Sequence, residues 1–207
     1  MTLWCCALVI LCCILKCAEP SAPPPGILKA KYNDSFLLVR STRSRVQQLL
    51  NKYKEHQLGN KHFEHRGGHL KDLPVLSTDF YSWLQLPDWE RLHAALSDLQ
   101  SYKNMLEWKR KGLEKEEKDK RHVHSTLSQS ITHIELDVRD LMSQVSSQMS
   151  HIKGRKLTFP TARTPSSQAN NSKTVWESRV EGYIILRDLD LYLTRLARDF
   201  LLLASKT

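Results

Sequence analysis

Apolar residues recur at intervals of three and four through four long stretches of the chain, and the pattern is cleanest between residues 124 and 152. There Leu127, Ile131, Ile134, Val138, Leu141, Val145, Met149 and Ile152 follow the spacing of one face of an α-helix. A second stripe runs through Trp89, Leu92, Leu96, Leu99, Leu106 and Leu113, with Tyr102 and Met105 beside it, and predicts a helix over about 88–119. Proline at position 87 suits its opening turn. The first stripe, with Val39, Val46, Leu49, Leu50, Tyr53 and Leu58, predicts a helix over about 35–58, for which Asn33 or Asp34 could supply the cap. The last, with Val180, Tyr183, Leu186, Leu189, Leu193, Leu196, Phe200 and Leu203, predicts a helix over about 175–203. At 1.5 Å per residue such helices are about 36–48 Å long.

The stretches between the stripes decide how the helices connect. Residues 59–86 contain Gly67-Gly68, Pro74 and several histidines, and residues 153–174 are rich in Ser, Thr, Pro and Asn; both read as long connections. The second and third helices are separated only by a short turn within 119–125, which makes them antiparallel neighbours. Four amphipathic helices can each bury a stripe in a four-helix bundle. Two long connections permit up-up-down-down winding, with long crossovers after the first and third helices. The expected fold is therefore all-α, a long-chain four-helix bundle of cytokine topology.

Cysteine placement bears on the compartment. All five cysteines, Cys5, Cys6, Cys12, Cys13 and Cys17, lie in an apolar N-terminal run. Its apolar core, 3–15, is shorter than the roughly 20 residues needed to span a bilayer and has the length of a secretory signal. The expectation is a signal segment over about 1–18 and one secreted domain over 19–207, without a thiol once the signal is removed. Asn33 and Asn170 begin Asn-x-Ser triplets and are candidate N-glycosylation sites in a secreted chain.

The net charge of +9 is spread among acids, as in the run 109–121, which reads as a solvated helix face. A positive balance favours anionic partners such as a heparan-type glycosaminoglycan. No nucleic-acid-binding motif is present. Catalytic chemistry has no footing either. His62, His65, His69, His122 and His124 lack metal-ligand spacing, and no phosphate loop, nucleophile elbow or dinucleotide fingerprint occurs. The acidic pairs Glu116-Glu117 and Asp188/Asp190 lie in charged helical sequence with nothing evident to bury them. The chain reads as a non-enzyme needing no cofactor or metal.

Binding then rests on large aromatics at element boundaries. Trp176, at the start of the fourth helix, either closes the core or is presented to a partner. Trp83 and Trp108 pose the same choice; Trp83 could fold over the bundle, and Trp108 lies off the stripe.

The segments 73–80 (Leu-Pro-Val-Leu-Ser-Thr-Asp-Phe) and 86–92 (Leu-Pro-Asp-Trp-Glu-Arg-Leu) resemble the end of the first crossover and the start of the second helix in the interleukin-6 group of cytokines. Trp176 with the 183–203 sequence, and 134–141, look most like the last and third helices of the interleukin-27 alpha subunit. The basic 153–174 connection departs from that subunit's polyglutamate tract. Residues 73–79 also resemble ciliary neurotrophic factor and its cardiotrophin relatives.

The resemblance implies non-covalent pairing with a soluble receptor-like beta chain of the interleukin-27 beta type. It also implies engagement of interleukin-27 receptor alpha and glycoprotein 130, and Janus kinase/STAT signalling. By matching position it assigns Trp176, Leu73 and Pro74 to glycoprotein 130, with Leu73 and Pro74 beside Trp176. Arg195, Arg198, Asp199 and Trp83 fall to the beta chain, and the strips Arg40, Gln47, Asp137, Asp140 and Gln144 to the second receptor. A secreted amphipathic-helix protein binding lipid or glycosaminoglycan is the reading from a different class, but tandem repeats with proline punctuation are missing from the sequence.

Overall fold

A computed structural model describes residues 25–75, 79–119, 126–153 and 174–207. Its elements are α1 (Pro25–Leu58), a short α2 (Phe80–Gln85), α3 (Asp88–Asp119), α4 (Thr126–Lys153) and α5 (Val175–Lys206). The expected signal segment, the turn between α3 and α4, His122, His124 and Asn170 lie outside the described residues.

α1 packs against α4 and α5, and α3 packs against the same two helices. The cross-helix bonds set the directions. Lys31 near the start of α1 reaches His151 near the end of α4, and Tyr53 near the end of α1 reaches Arg179 near the start of α5. Lys206 at the end of α5 pairs with Asp88 at the start of α3. α1 and α3 therefore run parallel on one diagonal, with α4 and α5 antiparallel to both. This is the up-up-down-down bundle, and the crossover before α3 returns the chain along its length.

The apolar stripes meet in a single core, in which Tyr32, Val39, Leu99, Tyr102, Val138, Leu141, Leu189 and Phe200 are fully or almost fully buried. Burying aliphatic and aromatic surface is the main term holding such a bundle, at about 1.5–3 kcal/mol per large side chain. Buried phenols donate across it: Tyr102 to the Asp188 carbonyl at 3.1 Å and Tyr192 to the Ala95 carbonyl at 3.2 Å.

Several expectations are corrected. α1 begins at Pro25 rather than near Ser35, because Ser35 and Tyr32 carry the buried face one and two turns back from Val39. Asn33 and Asp34 are exposed mid-helix residues, not caps. α1 ends where Gly59 adopts φ 66°, a left-handed conformation favoured by glycine, and Asn60 N–H donates to the Lys54 carbonyl. Ile152, expected on the buried stripe of α4, is exposed. The run beginning at Lys109 is not wholly solvated, for Lys109 itself is 4% exposed. Asp188 is also buried, paired with Arg187 at 2.8 Å. The helix α2 within the first crossover interrupts what reads in sequence as a plain connection. Asp79 starts it by accepting the Ser82 N–H at 3.1 Å.

Candidate functional site

Two aromatic surfaces stand at opposite ends of α5. At its start, Thr174 and Glu177 form a capping box in which the Thr174 side chain accepts the Glu177 N–H and the Glu177 carboxylate accepts the Thr174 N–H. The cap brings Trp176 out of the core, half exposed, at 50%. Its ring meets Phe63 edge-on at 6.0 Å, and Phe63 in turn meets the buried Tyr183 at 5.0 Å. The core-closing alternative for Trp176 is thus replaced by a presented ring leaning on a loop aromatic.

Beneath this end, helices α1 and α3 reach into α5. Lys109 Nζ donates to the Ser178 carbonyl at 2.9 Å and to Ser178 Oγ at 3.2 Å. Tyr53 Oη donates to the Arg179 carbonyl at 3.0 Å, and the Lys109 ammonium lies 5.9 Å from the Tyr53 ring centre. Burial pulls the Lys109 ammonium down to about 8; Glu116 and Glu181 oppose the shift and Arg179 adds to it.

The first crossover then descends along α5. The carbonyls of His65, Gly67 and Gly68 accept from the Arg187 guanidinium, and Leu73 is buried at 4% exposure with Pro74 half-buried. Leu73 is therefore a core residue rather than a surface contact, because the crossover seats it against the bundle. The ring beside Trp176 is Phe63, from the crossover's start.

At the far end, α2 lies over the last turns of α5. Trp83 Nε1 donates to Asp199 Oδ1 at 2.8 Å, and Arg91 Nη1 donates to the same oxygen at 2.5 Å. Arg91 Nη2 donates to the Trp83 carbonyl at 2.6 Å and the Leu86 carbonyl at 3.3 Å, with the guanidinium 4.9 Å from the Trp83 ring centre. Arg91 is 2% and Asp199 6% exposed. Burial pushes the Asp199 carboxyl up, opposed by Arg91 and the Trp83 hydrogen bond. Asp199 thus fastens α2 internally and is corrected from the exposed partner face. Trp83 folds over the bundle, half-buried. Arg198 is exposed and Arg195 half-buried, while Phe80, Tyr81 and Leu84 of α2 face solvent.

The strips expected on α1 and α4 divide. Arg40, Gln47 and Asp140 are exposed. Asp137 and Gln144 are corrected, because both turn toward α1. Arg45 Nη1 donates to Asp137 at 2.5 and 2.6 Å, and Gln144 Oε1 accepts from Ser35 Oγ at 2.6 Å. Asn33 is exposed, but Ser35 of its triplet is buried in that network. Trp108 is exposed on α3.

Sequence reasoning missed Phe63, the α2 residues Phe80 and Tyr81, and the buried cations. Lys109 had a signal, for it stands three residues after Leu106 and four before Leu113, in register with the stripe. Phe63 had none, since an isolated loop aromatic has no periodicity. Among the described residues no group of His, Cys, Asp and Glu could hold a metal, and no helix is long and apolar enough to cross a membrane.

The sequence model of the Interleukin 11 family matches residues 22–207. No curated protein gives a significant match. The family match overturns the resemblance to the interleukin-27 alpha subunit, and with it the beta chain and interleukin-27 receptor alpha that the resemblance implied. The Leu-Pro and Trp-bearing segments resemble the interleukin-6 group broadly, ciliary neurotrophic factor included, and so do not single out one member.

Proposed function

The chain belongs to the interleukin 11 family, and on that premise we propose that it acts by offering two aromatic surfaces, one at each end of α5, to two different receptor chains. It is a secreted, non-enzymatic helical cytokine of the interleukin-6 group that signals through glycoprotein 130. The finer reading is that Trp176, backed by Phe63, contacts glycoprotein 130. The α2 face, with Phe80, Tyr81, Leu84, Arg195 and Arg198, takes the receptor chain that gives specificity, supported from beneath by Trp83 and Asp199. Arg40, Gln47 and Asp140 form a further contact strip on α1 and α4.

The observation that carries this reading is the half-exposed Trp176 at a well-capped helix start. A large rigid ring held at the surface offers contact area at little entropic cost, and Trp is enriched among binding hot spots. Trp176→Ala is expected to leave helicity and binding at the α2 face intact and to abolish STAT phosphorylation in cells bearing glycoprotein 130. Helicity lost in circular dichroism, or undiminished phosphorylation, would overturn the assignment.

A further inference from the structure

The first two turns of α5 contribute little to the core. Val175, Trp176 and Glu177 are exposed and the next four residues half-buried, and full burial starts only at Gly182. Apolar packing therefore does little to hold the segment carrying Trp176. Helix ends without buried apolar contacts open locally at small free-energy cost. The capping box and the edge contact with Phe63 constrain it locally. What fixes it to the rest of the bundle comes from two other helices.

Tyr53 of α1 and Lys109 of α3 bind consecutive carbonyls, those of Arg179 and Ser178. Both side chains cross α5 at Gly182. A Cβ there would lie 2.1 Å from Tyr53 Oη and 2.6 Å from Lys109 Cε. Any larger residue would displace both donors. Three helices thus converge on one point, and both donors meet the segment's backbone carbonyls, Lys109 reaching the Ser178 hydroxyl as well.

We infer that Lys109, Tyr53 and Gly182 form a polar clamp that holds the first two turns of α5 against the bundle and so orients Trp176 for its receptor. The functional half of this inference rests on the reading of Trp176 as a receptor contact. Lys109 and Tyr53 are positioning residues that act through the backbone of Ser178 and Arg179. A lysine buried for stability alone would be a poor choice, because removing a charge from water is costly and an apolar side chain of similar length would pack as well.

The test uses the full secreted chain with Lys109→Met and Tyr53→Phe, which keep side-chain bulk and remove the donors. Hydrogen exchange at the amides of residues 178–182 is expected to quicken about tenfold, the size of one to two net hydrogen bonds. Exchange over residues 186–203 should stay unchanged. The thermal midpoint of Lys109→Met should be equal to or above that of the unsubstituted chain, while affinity for glycoprotein 130 falls. Unchanged exchange at 178–182, or faster exchange spread evenly through the bundle, would overturn the clamp. Trp176→Ala measured alongside separates the two claims. If it binds glycoprotein 130 normally, the receptor reading and the functional half of the inference fail, and the exchange data alone decide whether the clamp holds the helix start. If it loses binding while exchange in Lys109→Met is unaltered, the clamp fails and the receptor reading stands.

Discussion

The seam between α3 and α5 buries a cation near each end, and the two are held in different ways. At one end Arg91 meets the Asp199 carboxylate, two carbonyls and the face of Trp83. At the other, the described partners of Lys109 are both oxygens of Ser178, with the Tyr53 ring nearby. A planar guanidinium can satisfy a carboxylate and carbonyls together and stack on a ring, whereas a lysine ammonium is a compact, strongly hydrated charge whose pKa shifts readily on burial. The Arg91 end is thus a charge-balanced joint that locks α2 onto α5. The Lys109 end grips one residue of α5 through its carbonyl and hydroxyl with no carboxylate bonded to it among the described residues, keeps its charge at a cost that Glu116 and Glu181 only partly offset, and leaves the adjoining surface to Trp176. One end is built for strength and the other for position.

The largest effect expected from breaking this contrast is at the joint. Asp199→Leu would strand the buried Arg91 guanidinium and the Trp83 N–H, and should cost about 3–5 kcal/mol in chemical denaturation. Adding Arg91→Met to it should recover much of that loss, since a paired apolar replacement leaves no uncompensated charge. An equal loss from Lys109→Met alone would abolish the distinction between the two ends.

Gly182→Ala comes next. Overpacking against Tyr53 and Lys109 should cost about 1–3 kcal/mol, read as a lower denaturation midpoint. The same substitution should free the amides of residues 178–182 beyond that global loss.

The smallest effect is on pH dependence. Lys109 has its folded pKa depressed to about 8, whereas an unfolded lysine titrates near 10.4. Between those values the unfolded chain binds the extra proton, so stability rises with pH from about 8 until unfolded-state tyrosines begin to ionise near 10. Lys109→Met should flatten that rise, measured as thermal midpoint across pH 7.5 to about 9.5. A slope that persists in Lys109→Met would place its source elsewhere.

The two surfaces were unequally legible before the fold was known. Trp176 was flagged by its position between a polar connection and a helical stripe, and the capping box Thr174/Glu177 explains why it emerges there. Asp199, Asp137 and Gln144 are assigned to partner faces by the resemblance alone, and nothing in their own sequence surroundings marks them as buried. Each instead meets a partner distant in sequence: Arg91, Arg45 and Ser35. The α2 helix was hidden because six residues are too few to display a period.

The ridge of α3 that faces α5 shows where the boundary lies. Arg91, Ala95, Asp98, Tyr102, Met105 and Lys109 recur at four and three, like any buried stripe, yet half of them carry ionisable groups beyond the tyrosine. Burial raises the Asp98 carboxyl to about 6, with Arg195 opposing and Asp199 adding to the shift. By itself the sequence determined four amphipathic helices and the long and short connections that permit this winding, because those follow from periodicity and reach along one chain. Only the tertiary structure decided which polar residues are buried and which aromatics are presented. A charged side chain can leave water only where another helix brings an oxygen or a carboxylate to meet it, and that meeting depends on residues far apart in sequence.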